Sequence, residues 1–137
     1  MCAEKQGMTI RPIVLDTNFC LIPVRRKRDV FKELEAAGYQ LVFLPEVLSE
    51  LAKLANKGTG TSISAREARA TLTMLERKGL KAPPSSNAYA DTAILAYCQG
   101  LGAATATHDN ELRKQLRKAG VPVVTLGRSG ALHTEEG

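Results

Sequence analysis

The chain has 137 residues, 44% of them apolar, and a formal net charge of +5. That length supplies one buried core and not two. No run of about 18 apolar residues is present to span a membrane, and Met1–Thr9 has no apolar centre that would mark a secretory signal. The expectation is one domain over residues 1–137 in the cytoplasm, with its core at about 12–126 and loose tails at 1–9 and 127–137.

Cys2, Cys20 and Cys98 are scattered, without C-x-x-C spacing, so neither a zinc site nor a redox pair is indicated. An odd count suits a reducing compartment. Cys98 falls in a helical apolar pattern and reads as a small core residue. The positive charge favours polyanionic partners. With no Trp and three each of Tyr and Phe, phosphate contact is a better route to nucleic acid than extensive base stacking.

Taken in order, Pro12–Asp16 is a short apolar run of strand character. Asp29–Ala37 is helical, with Gly38 as its C-cap. Gln40–Leu44 is a second strand, and Pro45 opens a helix that reaches about Ala55. A polar loop over Asn56–Ser62 follows. Ser64 with Glu67 then makes a capping box for a helix ending near Lys78. Leu80–Ala82 reads as a brief strand and Pro83–Asn87 as a breaker. Ala88–Leu101 is helical, Ala103–Thr107 a strand of small residues, Glu111–Ala119 a helix stopped by Gly120, and Val121–Leu126 the last strand. Strands alternating with helices predict an α/β fold: a three-layer α/β/α arrangement around a parallel, doubly wound five-stranded sheet.

In such a sheet the C-terminal ends of strands and the N-terminal ends of helices share one edge, where ligands bind. Four acids from four segments fall there. Asp16 closes the first strand. Glu50 lies early in a helix, on the face of Val47 and Leu54 that meets the sheet. Asp91 opens the face that carries Ile94, Leu95 and Cys98. Asp109 follows the fourth strand. Each has a simpler reading when taken alone: a turn residue for Asp16, an exposed face for Glu50, helix-dipole stabilisation for Asp91 (and for Glu46), and an N-cap for Asp109. Together they form a concentration of like charge that needs a hard cation, and an all-oxygen donor set suits Mg2+ or Mn2+ better than zinc. Carboxylate-held metal beside a phosphodiester is hydrolytic chemistry, with one or two ions.

The segments LDTN at Leu15–Asn18, SEL at Ser49–Leu51, ADTAIL at Ala90–Leu95 and THDNEL at Thr107–Leu112 resemble, in order and spacing, the PIN-domain ribonuclease family over about Ile13–Val124. The resemblance implies Mg2+- or Mn2+-dependent cleavage of single-stranded RNA. Asp16, Glu50, Asp91 and Asp109 would be the metal-holding catalytic acids, with Asn18 and Thr107 in support. His108 departs from the family, which often carries Asn there; its simpler reading is a solvated turn residue. LDTNFCLIP followed by a basic stretch resembles the archaeal relatives of the eukaryotic rRNA-processing group, and the family also includes toxins of toxin–antitoxin pairs. Partners implied are RNA, a second copy of the chain, and a protein inhibitor or ribosome-assembly factor.

Two other classes compete with this reading. A catalytically silent RNA-binding assembly module would need none of the four acids. A phosphoacceptor signalling domain needs an acidic pair on the first strand, where only one acid stands. Arg25, Arg26, Lys27 and Arg28 follow the first strand by a short loop, and read either as an RNA-binding patch or as a solvated turn. Arg113 and Arg117 share a solvated helix face. Lys57–Thr61 lacks the G-K-[ST] ending of a nucleotide loop and reads as a mobile loop.

Overall fold

The computed structural model describes residues 11–57, 62–78, 89–127 and 130–135. The expected strand at Leu80–Ala82, the breaker at Pro83–Asn87, most of the loop before Ser62 and the N-terminal tail lie outside the described residues.

The most apolar run becomes the middle of the molecule. Ile13, Val14 and Leu15 of strand β1 (Arg11–Leu15) are wholly buried, as a strand covered on both faces requires. On one side β1 pairs in parallel with β2 (Tyr39–Val42), and on the other with β3 (Ala104–Ala106). β4 (Val123–Leu126) continues the parallel sheet beyond β3. The fifth strand corrects the expected all-parallel sheet: β5 (Leu132–Glu135) pairs antiparallel with β4, in the segment read as a loose tail. The order is β2-β1-β3-β4-β5, and the antiparallel β4–β5 pair makes the sheet mixed.

Between β1 and β2 the chain forms α1 (Thr17–Cys20), α2 (Ile22–Arg26) and α3 (Val30–Ala36). The first two replace the short loop expected before the basic run. Asp29 caps α3 by accepting from the Lys32 N–H, and Gly38 takes the positive φ (+97°) expected of a helix stop. After β2 come α4 (Pro45–Ala55), α5 (Ile63–Lys78) and α6 (Ala90–Leu101), and α7 (Asn110–Lys118) joins β3 to β4. The cap of α5 is shifted from the expected one. The Ser62 hydroxyl accepts from the Ala65 N–H, Ser64 lies within the helix, and Glu67 pairs with Arg25 instead of closing a capping box.

α3 packs on β2, α6 on β3, and α7 on both β4 and α6. Right-handed crossovers then place α3 on one face of the sheet and α6 and α7 on the other. The core is aliphatic with an edge-to-face pair, Phe31 and Phe43. No helix among the described residues is long and apolar enough to cross a membrane.

Candidate active site

The strand order reverses at β1 and β3. The chain leaves β1 toward β2 and returns to β3 on the opposite side, which opens a crevice at the C-terminal ends of this pair. The ladder runs into it: the Asp16 N–H donates to the Ala106 carbonyl at 3.1 Å, and the Thr107 N–H to Val124 at 3.1 Å. Asp16 and Thr107 are therefore placed by the sheet itself.

A cavity of about 220 Å³ occupies this crevice, lined by Asp16, Thr17, Asn18, Glu50, Ala90, Asp91 and Asp109. All four expected acids border it, from the β1–α1 junction, α4, α6 and the β3–α7 turn.

Asp16 is the buried member, at 6% exposure. Its Oδ1 accepts from the Phe19 N–H at 2.8 Å, so it also caps α1, and its Oδ2 accepts from the Thr107 hydroxyl. Burial pushes its pKa up to about 6. The hydrogen bonds from Thr107 and Phe19 oppose that rise, and the negative charges of Asp91 and Asp109 add to it. Asp91 is likewise raised, by burial first and then by Asp109 and Glu50.

Asp109 is the N-cap that its position predicts and also stands at the expected edge. Its Oδ1 caps α7 by accepting from the Leu112 N–H at 3.0 Å, while the residue borders the cavity. Glu50 corrects its expected placement. The buried stripe of α4 is Val47, Leu51 and Ala55, and Glu50 stands exposed on the flank. Its carboxylate accepts from the Thr17 hydroxyl. Glu46 does lie in the first turn of α4, yet it is buried, and its Oε1 has no hydrogen-bond partner among the described residues.

The supporting residues divide. Thr107, fully buried, donates to Asp16 and accepts from the Asp109 N–H at 3.1 Å, so one hydroxyl ties two of the acids together. Asn18 lines the cavity from its exposed position in α1. Sequence reasoning missed Thr17 and Ala90. Thr17 stands inside the LDTN segment, between two residues that were singled out, and a hydroxyl there was the available signal. Ala90 has no chemistry of its own and supplies only room.

His108 is not a solvated turn residue. Its ring lies 5.3 Å from that of Phe19, and its Nε2 accepts from the Leu126 N–H at 3.1 Å, binding the β3–α7 turn to the end of β4. The acceptor role requires neutral imidazole. Desolvation, then Arg26 and Arg113, lowers its pKa.

The basic run is partly consumed within the fold. Arg25 pairs with Glu67 at 2.8 Å, and Arg28 makes two hydrogen bonds to Glu33. Arg26 and Lys27 are exposed and carry no ion pair among the described residues. None of the four acids is paired with Lys or Arg among the described residues. Among the described residues, then, no basic side chain neutralises the carboxylates that border the cavity, and an all-oxygen donor set of this kind would suit a hard cation. No three of the described His, Cys, Asp and Glu side chains already stand in the geometry of an ion cage.

An α/β sheet with an acid-lined crevice at its switch point defines the class. Residues 13–129 match the model of the PIN like domain, and the chain belongs to that family. Among solved structures it is similar to VapBC2 from Rickettsia felis bound to a DNA fragment from their promoter, with 21% identity, 75% of this chain and 92% of that chain covered, and a TM-score of 0.48. No curated protein matches this chain in sequence.

Proposed function

We propose that this chain is a metal-dependent endoribonuclease that hydrolyses phosphodiester bonds of single-stranded RNA. The observation that carries the proposal is the meeting of Asp16, Glu50, Asp91 and Asp109 on one small cavity without a basic partner among the described residues. Membership in the PIN-like family supports it.

The donor set fits a hard divalent cation, Mg2+ or Mn2+. It is all oxygen, and its mutual repulsion is relieved by a positive ion. When bound, such an ion lowers the pKa of coordinated water and stabilises charge on the phosphoryl oxygens. Asp16 would be the fixed ligand, held by Phe19 and Thr107. The exposed acids Glu50, Asp91 and Asp109 would turn toward it, since the donors border the cavity without yet forming a cage. Thr107 and Thr17 keep carboxylate oxygens aimed, and the half-buried His108 ring braces the turn that carries Asp109.

The test is cleavage of a labelled single-stranded RNA. Cleavage is expected with Mn2+, with none in EDTA and a collapse of rate in Asp16→Asn. Cleavage that survives chelation, or that the substitution leaves intact, defeats the reading. The resemblance offers two settings, rRNA processing and a toxin role; a small inhibitor protein that co-purifies and blocks cleavage would select the second.

A further inference from the structure

A second cavity, of about 450 Å³, shares Thr17, Asn18 and Glu50 with the acid-lined one and continues along α4 to Lys53, Leu54 and Lys57. Its volume lies in the range of pockets that hold small organic groups, roughly 300–1,000 Å³. Glu50, Lys53, Leu54 and Lys57 are spaced i, i+3, i+4 and i+7, so they form one stripe along the helix and its final turn. Lys57 lies just past the helix but is held in line, because its N–H donates to the Leu54 carbonyl at 3.3 Å.

The stripe is ordered by charge. Its acid faces the first cavity, its lysines lie farther along, and a half-buried leucine sits between the lysines. From Glu50 to Lys57 the track covers roughly 10 Å at the helical rise per residue. Glu50 is hydrogen-bonded to Thr17, and neither lysine has an ion pair among the described residues, so both ammonium groups remain available to an external anion. The basic run at Arg25–Arg28, by contrast, spends Arg25 and Arg28 on internal pairs.

We infer that this groove is the docking track for the RNA strand beside the scissile bond, with Lys53 and Lys57 on successive phosphates and Leu54 beneath a base. The inference rests on the ribonuclease reading for the identity of the strand. The occupant is chosen by charge complementarity and by continuity with the acid-lined cavity: a polyanion that reaches the carboxylates must be held by cations next to them and not by the carboxylates themselves. Without an aromatic platform, the track grips phosphate and tolerates any base.

The experiment measures binding of a fluorescein-labelled oligouridylate to the full chain by anisotropy, in EDTA, across a salt series, for wild type and for Lys53→Gln with Lys57→Gln. Both lysines are exposed, and melting curves confirm that the variant folds. The slope of log affinity against log salt is expected to fall by about 1.4, which corresponds to two phosphate contacts on a single strand. The pair Lys114→Gln and Lys118→Gln, on α7, which lines neither cavity, is expected to leave the slope near the wild-type value. An unchanged slope in the α4 variant overturns the track and leaves the groove to a protein segment. If wild type binds through the lysines but does not cleave RNA with Mn2+, the track stands and the nuclease reading fails. If wild type does not bind the oligonucleotide in EDTA, the track fails, and the nuclease reading is decided separately by cleavage with Mn2+.

Discussion

The Thr107 hydroxyl donates to Oδ2 of Asp16, across the seam between β3 and β1. The Thr107 hydroxyl oxygen in turn accepts from the Asp109 N–H, so one small side chain sets the position of two acids that the chain separates widely. Both residues are buried, and neither makes another hydrogen bond between side chains among the described residues.

Thr107→Val is isosteric and removes only the hydroxyl. Outer-shell partners of metal-holding carboxylates are worth about 10–100-fold in affinity or activity. A loss of Mn2+-dependent cleavage in that range is expected, with Thr107→Ser close to wild type. Equal rates for Val and Thr would show that the bond has no part in activity.

Asp16 makes the metal-free protein pH-sensitive. Its folded pKa, about 6, lies above the ordinary value of 3.8, because burial disfavours the charged form. Its favourable contribution is therefore complete below about pH 3.8 and is lost as pH rises through about 6. The difference is about 3 kcal/mol at most. Urea unfolding in EDTA is expected to show Asp16→Asn more stable than wild type at pH 8 and the two converging near pH 4. A variant that is less stable at pH 8 would contradict the assignment of strain to this carboxylate.

His108 has the opposite sign. Its folded pKa is depressed below 6.5, so its contribution is complete above the unfolded value and is lost as pH falls below it. His108→Ala also leaves the Leu126 N–H without its acceptor, a cost of about 1–3 kcal/mol. Denaturation at pH 7.5 is expected to show that loss. The gap between variant and wild type should narrow toward pH 5, and a constant gap would mean that protonation of this ring is not opposed by the fold.

Cys20 and Cys98 are buried, and burial is the main cause that raises both thiols, Cys98 to about 11 and Cys20 well above its ordinary value. Thiolate is the reactive form. Brief iodoacetamide treatment of the native protein at pH 8 is expected to leave both unmodified by mass spectrometry, with full labelling after denaturation. Native labelling of either residue would contradict their placement.

Much of this molecule is visible in its residues. Pro45 marks the start of α4, Gly38 and Gly120 follow helix ends, and the apolar Ile13–Leu15 run becomes the central strand. The four acids were legible because each stands at a strand end or an early helical turn, and the topology gathers those places at one edge. What escaped was short or marginal. α1 and α2 span four and five residues, too few for helical periodicity to declare itself. β5 is a half-polar edge strand with little apolar alternation, tied in part by Glu135 accepting two hydrogen bonds from Arg113 of α7. That contact also removes Arg113 from the solvated face to which its spacing assigned it. The role of His108 depends on a β4 amide and the Phe19 ring, neither of which is near it in sequence.

The most direct measurement is the anomalous difference map of crystals soaked in Mn2+. A peak in contact with Asp16 and at least one of Asp91, Asp109 and Glu50, abolished in Asp16→Asn, is the expected result. Well-occupied Mn2+ elsewhere on the molecule, with density between these carboxylates filled by a lysine or arginine side chain, would contradict the account at its root.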